Sequence, residues 1–552
     1  MFLRKKTIKG RAYYYLAKSG RVNGKPRVIW EKYLGSAESL VHLLEQGVGK
    51  PKKVASLEYG SVAALNQIAK EIGLVKTIDE VVPKKKIGLS IGTYILLASL
   101  NRAIEPKSKA SLQDWYKKTG LKELMPVSFK LLASQNFWDN FDLIKEKHLT
   151  EILIRLNTSI MKEHHLSLDT LLYDTTNFYT YFSTTNKSRL AQKGASKEKR
   201  TDLRQIGVAL LTSRPENIPL FFKVYPGNIH DSKLFRLILK QMIGLLRKLK
   251  PEEQQLTLVF DKGNNSSENI AIIREHKCHF VGSLSPYHHQ DLMCVDLEEF
   301  SELPEQQDVP QKDRILFYRE QFYWYGKLRT VVVTFNPSVY RCRMHTLAKE
   351  IARTKTKITE EIKEVIRKYQ KYPDALKRIK NHVKGIMEDS GAGKFFRAHI
   401  YSRYSSIDYK LYLKEKEMDI RKNKAGKNII VTDQEGWSAK DIWAAYRDRY
   451  LVEDHFKQLK DPFQVSIRPI FCWTDSKIRV HILVCYLALL LLSLLREKLR
   501  KEGLVLSVDK ILEELREIRM ELLFYPEKRT PEKTLTTLSS VQQKILTALN
   551  LH

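Results

Sequence analysis

Tyr446, Arg449, Glu453 and Lys460 stand at i, i+3, i+7 and i+14 in a stretch free of glycine and proline. At about 100° per residue, these four side chains fall on one narrow stripe of a helix. The stripe carries a phenol, a guanidinium, a carboxylate and an ammonium, where a buried helix would show apolar side chains. One acid among fixed cations suits a metal ion and a phosphate chain. The same residues also describe a solvated face on which Arg449 and Glu453 form an ordinary i,i+4 pair, and the helix alone does not separate the two readings.

Two acids upstream break the tie. Asp174 stands in a strand candidate of apolar and β-branched residues from Leu168 to Phe182, and Asp261 directly follows Leu258, Val259 and Phe260. An acid in or at the end of an apolar strand costs desolvation unless a cation meets it. Either one alone would read as a cap or a loop acid. Joined by Glu453 on a helix packing nearby, they make a cluster of like charge that is tolerable mainly around divalent metal ions. Hard oxygen ligands without Cys or His partners favour Mg²⁺ or Mn²⁺. Two such ions, roughly 3.5–4 Å apart, would activate a water or a 3′-hydroxyl and stabilise the leaving oxygen of an in-line displacement. Asp169 is a rival first acid, but it sits five residues before Asp174 and so on the opposite strand face. Asp174 is preferred.

The elements that must position these residues come from a chain of 552 residues, 43% hydrophobic and 10% aromatic, with a formal net charge of +32. That is enough for two to four globular domains and a sizeable core. The basic excess points to a polyanion, above all nucleic acid, with an anionic membrane surface as the lesser option. No apolar leader follows Met1, and none is expected. The apolar run from His481 to Leu495 is shorter than the ~20 residues of a membrane span, and it reads as a buried core helix. Five scattered cysteines, Cys278, Cys294, Cys342, Cys472 and Cys485, offer neither a CxxC pair nor a disulfide framework.

Residues 1–50 read as a small basic β meander turning at Asn23 and Gly24, suited to DNA contact or to capping a domain. Residues 58–165 carry apolar positions at helical spacing, either a DNA-end-binding region with a helix-turn-helix or a plain helical support. From 166 to 284 the pattern gives three adjacent strands, then strand and helix in alternation. This is the order of a ribonuclease-H-like mixed sheet. Residues 285–432 interrupt it as a large α+β insertion, including a charged helix pair over about 344–389. A helix over about 439–461, capped by Ser438 and Asp441 and stopped by Pro462, returns to the core within 433–500. Residues 501–552 read as a helical tail. Arg189, Lys193, Lys197, Lys199, Arg200 and Arg204 form a basic loop between the first two core strands, suited to phosphate contact beside the acids.

With Tyr173-Asp-Thr-Thr176, Phe260-Asp-Lys-Gly263 and Tyr446, Arg449, Glu453 and Lys460 in place, the chain resembles the prokaryotic insertion-sequence DDE transposases. The spacing is similar to the subgroup with a Tyr-Arg-Glu-Lys signature. The segment Gln205 to Asp231, with Pro226-Gly-Asn-Ile-His-Asp231, also looks like that subgroup, as does Arg468-Pro-Ile470 before its apolar helix. One departure is Asn264-Asn265-Ser266 after Gly263, where many relatives place an aromatic.

The resemblance implies that Asp174, Asp261 and Glu453 form a metal-binding catalytic triad, and that Tyr446, Arg449 and Lys460 grip phosphates at the element's end. Relatives hold a displaced base against an aromatic of the insertion. Trp324 is the candidate here, although such a ring also suits the insertion's own core. The implied activity is metal-dependent cleavage of double-stranded DNA at the element ends and transfer into target DNA, by a cut-and-paste route and as a homodimer on DNA. No membrane partner and a cytoplasmic, nucleoid-associated setting are expected. A ribonuclease-H-fold endonuclease without strand transfer, and a non-catalytic DNA-binding descendant, are the rival readings.

Overall fold

The computed structural model describes residues 1–552 except 23–24, 46–50, 84–86, 184–185, 195–199, 201, 230, 250–254, 303–305, 307, 405, 471, 527 and 552. The expected turn at Asn23 and Gly24, and Lys197 and Lys199 of the basic loop, lie outside the described residues. Two compact units divide the chain. One is Met1–Lys70 with Lys107–Phe137 and Leu494–His552, and the other is Glu71–Pro106 with Trp138–Ser493.

A nine-stranded sheet organises the larger unit. Its strands are β1 (Thr170–Thr180), β2 (Arg204–Arg214), β3 (Pro219–Pro226), β4 (Thr257–Val259), β5 (His279–Leu284), β6 (Ser301–Glu302), β7 (Leu316–Trp324), β8 (Lys327–Phe335) and β9 (Lys427–Thr432). They lie in the order β6-β7-β8-β9-β5-β4-β1-β2-β3. β1, β2 and β3 pair antiparallel, whereas β4 runs parallel to both β1 and β5. Parallel neighbours need a crossover, and α1 (Asp231–Leu249) and α2 (Ser267–Glu275) supply the two that lead into β4 and β5. The protein is therefore a mixed α/β fold on a mixed sheet. β2 is buried without interruption from Gln205 to Ser213, as a strand covered on both faces must be.

Aromatic packing fixes which way the central strands face. Tyr173 and Phe260 are both fully buried, and both meet Phe235 of α1, at ring separations of 4.7 and 5.0 Å. Successive side chains of a strand point to opposite faces. With Tyr173 and Phe260 held against α1, the next residue of each strand, Asp174 or Asp261, must point away from it. The opposite face is covered by α3 (Ala439–Arg447) and α4 (Tyr450–Lys460). His455 of α4 reaches Thr212 of β2, whose backbone partner is Leu172, two residues before Asp174.

The single helix expected over 439–461 is therefore two. The chain bends at Asp448 and Arg449, where Arg214 Nε donates to Asp448 Oδ2 at 2.8 Å and pins the corner to the end of β2. Ser438 and Asp441 form the expected capping box.

The insertion also differs from expectation at its edges. β6, β7, β8 and β9 extend the sheet instead of leaving it. What stands off the sheet is the stretch between β8 and β9. It contains helices Pro337–Tyr369 and Ala375–Asp389, the hairpin Phe396–Arg403 with Ser406–Leu413, and helix Glu415–Lys424. That stretch has its own core around Ile358, Ile362, Ile379 and Phe396. The helix Asp475–Lys501 is long and apolar enough to cross a membrane, but 94% of its most apolar window is buried inside the protein.

In the smaller unit, Phe2–Ile8, Arg11–Val22 and Lys25–Ser36 form a three-stranded antiparallel meander. The tail is not helical throughout. Arg519–Phe524 pairs with Lys53–Glu58 on one side and Glu532–Leu535 on the other. Alternation supplies the reason, because Met520 and Leu522 share one strand face and pack with Leu57.

β5 and β9 are tied by Asp433, which accepts from the Phe280 backbone N–H at 2.9 Å and lies 3.6 Å from His279 Nδ1. The Asp433 carboxylate beside it raises the His279 pKa above its ordinary 6.5 against the pull of burial. The folded protein thus holds this proton more tightly than the unfolded chain does. The resulting stability is complete below pH ~6.5 and is lost as pH rises through the raised value. Urea denaturation of wild type and Asp433→Asn across pH 5.5–8.5 should show a midpoint that falls with pH in the wild type. The fall should be smaller in the variant; equal slopes would contradict the assignment.

Candidate functional site

The site is set by strand register before any side chain is considered. Leu172 of β1 pairs with Val259 of β4 in parallel alignment. Asp174 and Asp261 each lie two residues beyond that pair. Asp261 follows the end of β4 in extended backbone, so the same register carried two residues on would bring it level with Asp174 on the face turned away from α1. The 87 residues between Leu172 and Val259 in this register are also the separation of the two acids.

Arg449, at the corner between α3 and α4, brings the third acid to them. Its Nη1 lies 3.2 Å from Asp261 Oδ1, and its Nη2 lies 3.1 Å from Glu453 Oε1. The guanidinium is only 12% exposed, whereas the carboxylates of Asp261 and Glu453 are 41% and 49% exposed. Burial opposes the Arg449 charge, but Tyr446, Asp261, Asp174 and Glu453 together outweigh it and raise the pKa. All three acids thus act on one cation.

Tyr446 completes the set. Arg449 Nη1 donates to its phenolic oxygen at 2.9 Å, and the phenol donates to Ser283 Oγ at 2.7 Å and approaches Asp261 Oδ1 at 3.4 Å. Burial pushes the phenol above its ordinary pKa, against the pull of Arg449 and Ser283. Ser283 closes β5 and is a member of the site that sequence reading missed. Only its place at a strand end beside Asp261 could have signalled it.

The remaining expected residues are placed elsewhere. Lys460 lies at the far end of α4, with Nζ 5.8 Å from the centre of the Phe178 ring. Arg204 Nη1 donates to the Asn186 carbonyl at 2.7 Å and so holds the loop after β1. Trp324 is corrected as a base-stacking ring. It is 6% exposed and packs between Tyr325 at 4.2 Å and Phe280 at 6.0 Å, because its strand turns that side into the sheet's core. Asp169 accepts from Ser167 Oγ at 2.7 Å in the turn before β1, away from the register that aligns Asp174 with Asp261.

Two openings flank the cluster. One, of about 600 Å³, is lined by Asp261, Tyr446 and Ser283 together with Lys262, Arg343 and Arg421. The other, of about 650 Å³, holds Arg449, Glu453 and Trp443. Carboxylates and cations lining the same openings suit an anionic chain whose reacting phosphate lies near the acids.

Among the described residues, no group of three or more His, Cys, Asp or Glu already stands as a metal cage. The donors nevertheless fit a hard divalent ion by type. Asp174, Asp261 and Glu453 offer only oxygen, and two of them are half open to solvent. In this arrangement the Arg449 guanidinium supplies the charge that compensates them.

The family described as a transposase DDE domain matches residues 166–491. No curated protein matches the chain. Among solved structures, the chain is similar to a piggyBac transposase synaptic complex with hairpin DNA. The identity is 9%, with 84% of this chain and 82% of that one covered and a TM-score of 0.34. It is also similar to a Mos1 transposase paired-end complex with the left transposon end, at 9% identity, 36% and 60% coverage and a TM-score of 0.14.

Since Arg449 occupies two of the three carboxylates, removing its charge should free them for a cation. Each half-exposed ion pair is worth about 0.2–1 kcal/mol. Arg449→Gln should therefore bind Mn²⁺ roughly two- to tenfold more tightly than wild type in the absence of DNA, measured by electron paramagnetic resonance. Arg449→Lys should lie between them. Unchanged or weaker binding by Arg449→Gln would contradict the competition.

Proposed function

The chain belongs to the transposase DDE-domain family, and on that premise we propose that it cleaves the ends of an insertion sequence and joins them to target DNA. The observation that carries this reading is Arg449 paired with both Asp261 and Glu453, with the charge of Asp174 on the neighbouring strand also acting on it. The strand order β3-β2-β1-β4-β5 with its parallel crossovers supports a ribonuclease-H-like core. The contacts among Tyr446, Arg449 and Glu453 support membership of the subgroup with the Tyr-Arg-Glu-Lys signature.

In this reading Asp174, Asp261 and Glu453 would hold Mg²⁺ or Mn²⁺, whose charge activates the attacking oxygen and stabilises the leaving one when bound. Arg449 neutralises phosphate at the scissile bond, and Lys460, at the far end of α4, a phosphate further along the strand. Tyr446 accepts from Arg449 and donates to Ser283, and so holds the guanidinium beside Asp261. Water attacks the phosphodiester at the element's end, and breaking the bond to the 3′ oxygen frees a 3′-hydroxyl. That hydroxyl then attacks a target phosphodiester, forming the new linkage and releasing a target 3′-hydroxyl. The protein would act as a homodimer pairing two element ends in the cytoplasm of a prokaryote. The basic meander of residues 1–36 and the cations around the site would hold the flanking duplex.

Purified protein incubated with DNA carrying the borders of its own gene and a supercoiled plasmid should yield both cut ends and joined product, and only with a divalent metal present. A nuclease reading predicts cut ends without joining. Asp174→Asn, Asp261→Asn and Glu453→Gln should each lower cleavage by at least about a hundredfold, the scale of losing one preorganised charged group, with DNA binding retained. Cleavage that persists in all three variants would refute the assignment.

A further inference from the structure

The stretch that stands off the sheet between β8 and β9 carries an open strand edge of its own. Its hairpin joins Phe396–Arg403 to Ser406–Leu413 as a two-stranded antiparallel sheet, with Phe396 opposite Leu413 and Arg403 opposite Ser406. Among the described residues no third strand joins it. None of the eight residues of Ser406–Leu413 is buried, whereas Phe396 and Ile400 of the neighbouring strand are. Tyr412 and Leu413 are 50% and 45% exposed.

Alternation divides Ser406–Leu413 between two faces. Ile407, Tyr409 and Leu411 turn inward and pack with the core around Ile358 and Ile379. Ser406, Asp408, Lys410 and Tyr412 turn to solvent. At the middle of the strand the Tyr409 backbone N–H donates to Asp408 Oδ1 at 2.8 Å, a local acceptor in the place of a neighbouring strand. Exposed edges are templates for pairing, and charged side chains commonly guard them. Here an acid and a base, two residues apart on one face, also specify what can pair.

A two-fold axis through an antiparallel pair sets residue i of one copy opposite residue j of the other, and j opposite i. Opposed residues must share a face, which leaves few registers. Centring on Asp408 or on Lys410 would set like charges against each other, which is unfavourable. Centring on Tyr409 sets Asp408 of one copy opposite Lys410 of the other, twice over by symmetry. The same register sets Ile407 opposite Leu411 on the inner face, so the apolar face continues across the junction. Charge and apolar pattern thus agree on one register. In it the two Tyr409 residues form the central hydrogen-bonded pair, and each Asp408 carboxylate is released to the lysine it faces.

We propose that two copies of the chain join through Ser406–Leu413, edge to edge and antiparallel about Tyr409, making one four-stranded sheet from two hairpins. The inference deepens the homodimer part of the proposed function and rests on it, since it names the surface that joins the copies.

Sedimentation velocity of the full chain, free and with a duplex carrying one border of its own gene, tests this. Wild type should dimerise. Asp408→Lys opposes lysine to Lys410, and Lys410→Asp opposes aspartate to Asp408. Each should raise the dimer dissociation constant roughly tenfold or more, as two cross-strand pairs change from attraction to repulsion. Mixing the two variants should restore dimers of wild-type affinity, because every opposed pair is then lysine with aspartate. The double variant Asp408→Lys/Lys410→Asp should restore them as well. Recovery on mixing also shows that both variants fold and that the contact lies between chains. If wild type dimerises and both single variants dimerise equally well, or if mixing restores nothing, this edge is not the interface and the homodimer reading stands. If wild type stays monomeric with and without DNA, this inference and the homodimer reading fall together, while cleavage by the acids is decided separately by the Asp174, Asp261 and Glu453 variants.

Discussion

The pairing of Thr170, Leu171 and Leu172 with Thr257, Leu258 and Val259 is short, yet the site depends on it. Side chains alternate along a strand, so a slip of one residue would turn an aspartate away from its partner and bring Tyr173 or Phe260 into its place. The slip is prevented from the other face. Tyr173 and Phe260 share Phe235 as a neighbour, and fully buried rings of that size fit one arrangement of a close-packed core. The acids thus inherit their geometry from hydrophobic packing on the side of the sheet they do not touch.

Placing carboxylates side by side creates a charge problem, and the fold meets it with a cation of its own. Arg449 is more buried than either Asp261 or Glu453, and its position comes from the corner that Arg214 fastens through Asp448. This makes the site coherent without any added ion. It also means that a metal and a phosphate chain must redistribute contacts that already exist. A guanidinium gripping two carboxylates and one that turns to a phosphate are both ordinary uses of its planar fork.

Much of this was legible in the sequence. An aspartate inside or just after an apolar run has few explanations, and Asp174 and Asp261 were distinguishable for that reason. The alternation of strands and helices from 168 to 284 carried the mixed sheet. What stayed hidden depended on partners distant in the chain. No glycine or proline marks the corner at Asp448 and Arg449, because the bend is held by Arg214 more than two hundred residues earlier. Phe322, Tyr323, Trp324 and Tyr325 are all aromatic, so period-two reading could not tell which face was core, and Trp324 proved to be the buried one. The strands at 316–335 and 427–432 gave no local sign that they would extend the main sheet. Met520 and Leu522 alternate over too short a stretch to stand out beside a charged helix.

The pairing of Lys53–Glu58 with Arg519–Phe524 sets an order of events during synthesis. Ser56 donates to Glu521 at 2.7 Å across 465 residues of chain. At roughly 5–20 residues per second, the earlier strand emerges about 20–90 s before its neighbour exists. Through that interval its edge is open to any other nascent chain on the same message. The basic residues around it, Lys52 and Lys53 among them, give such chains a reason to repel one another until the tail arrives.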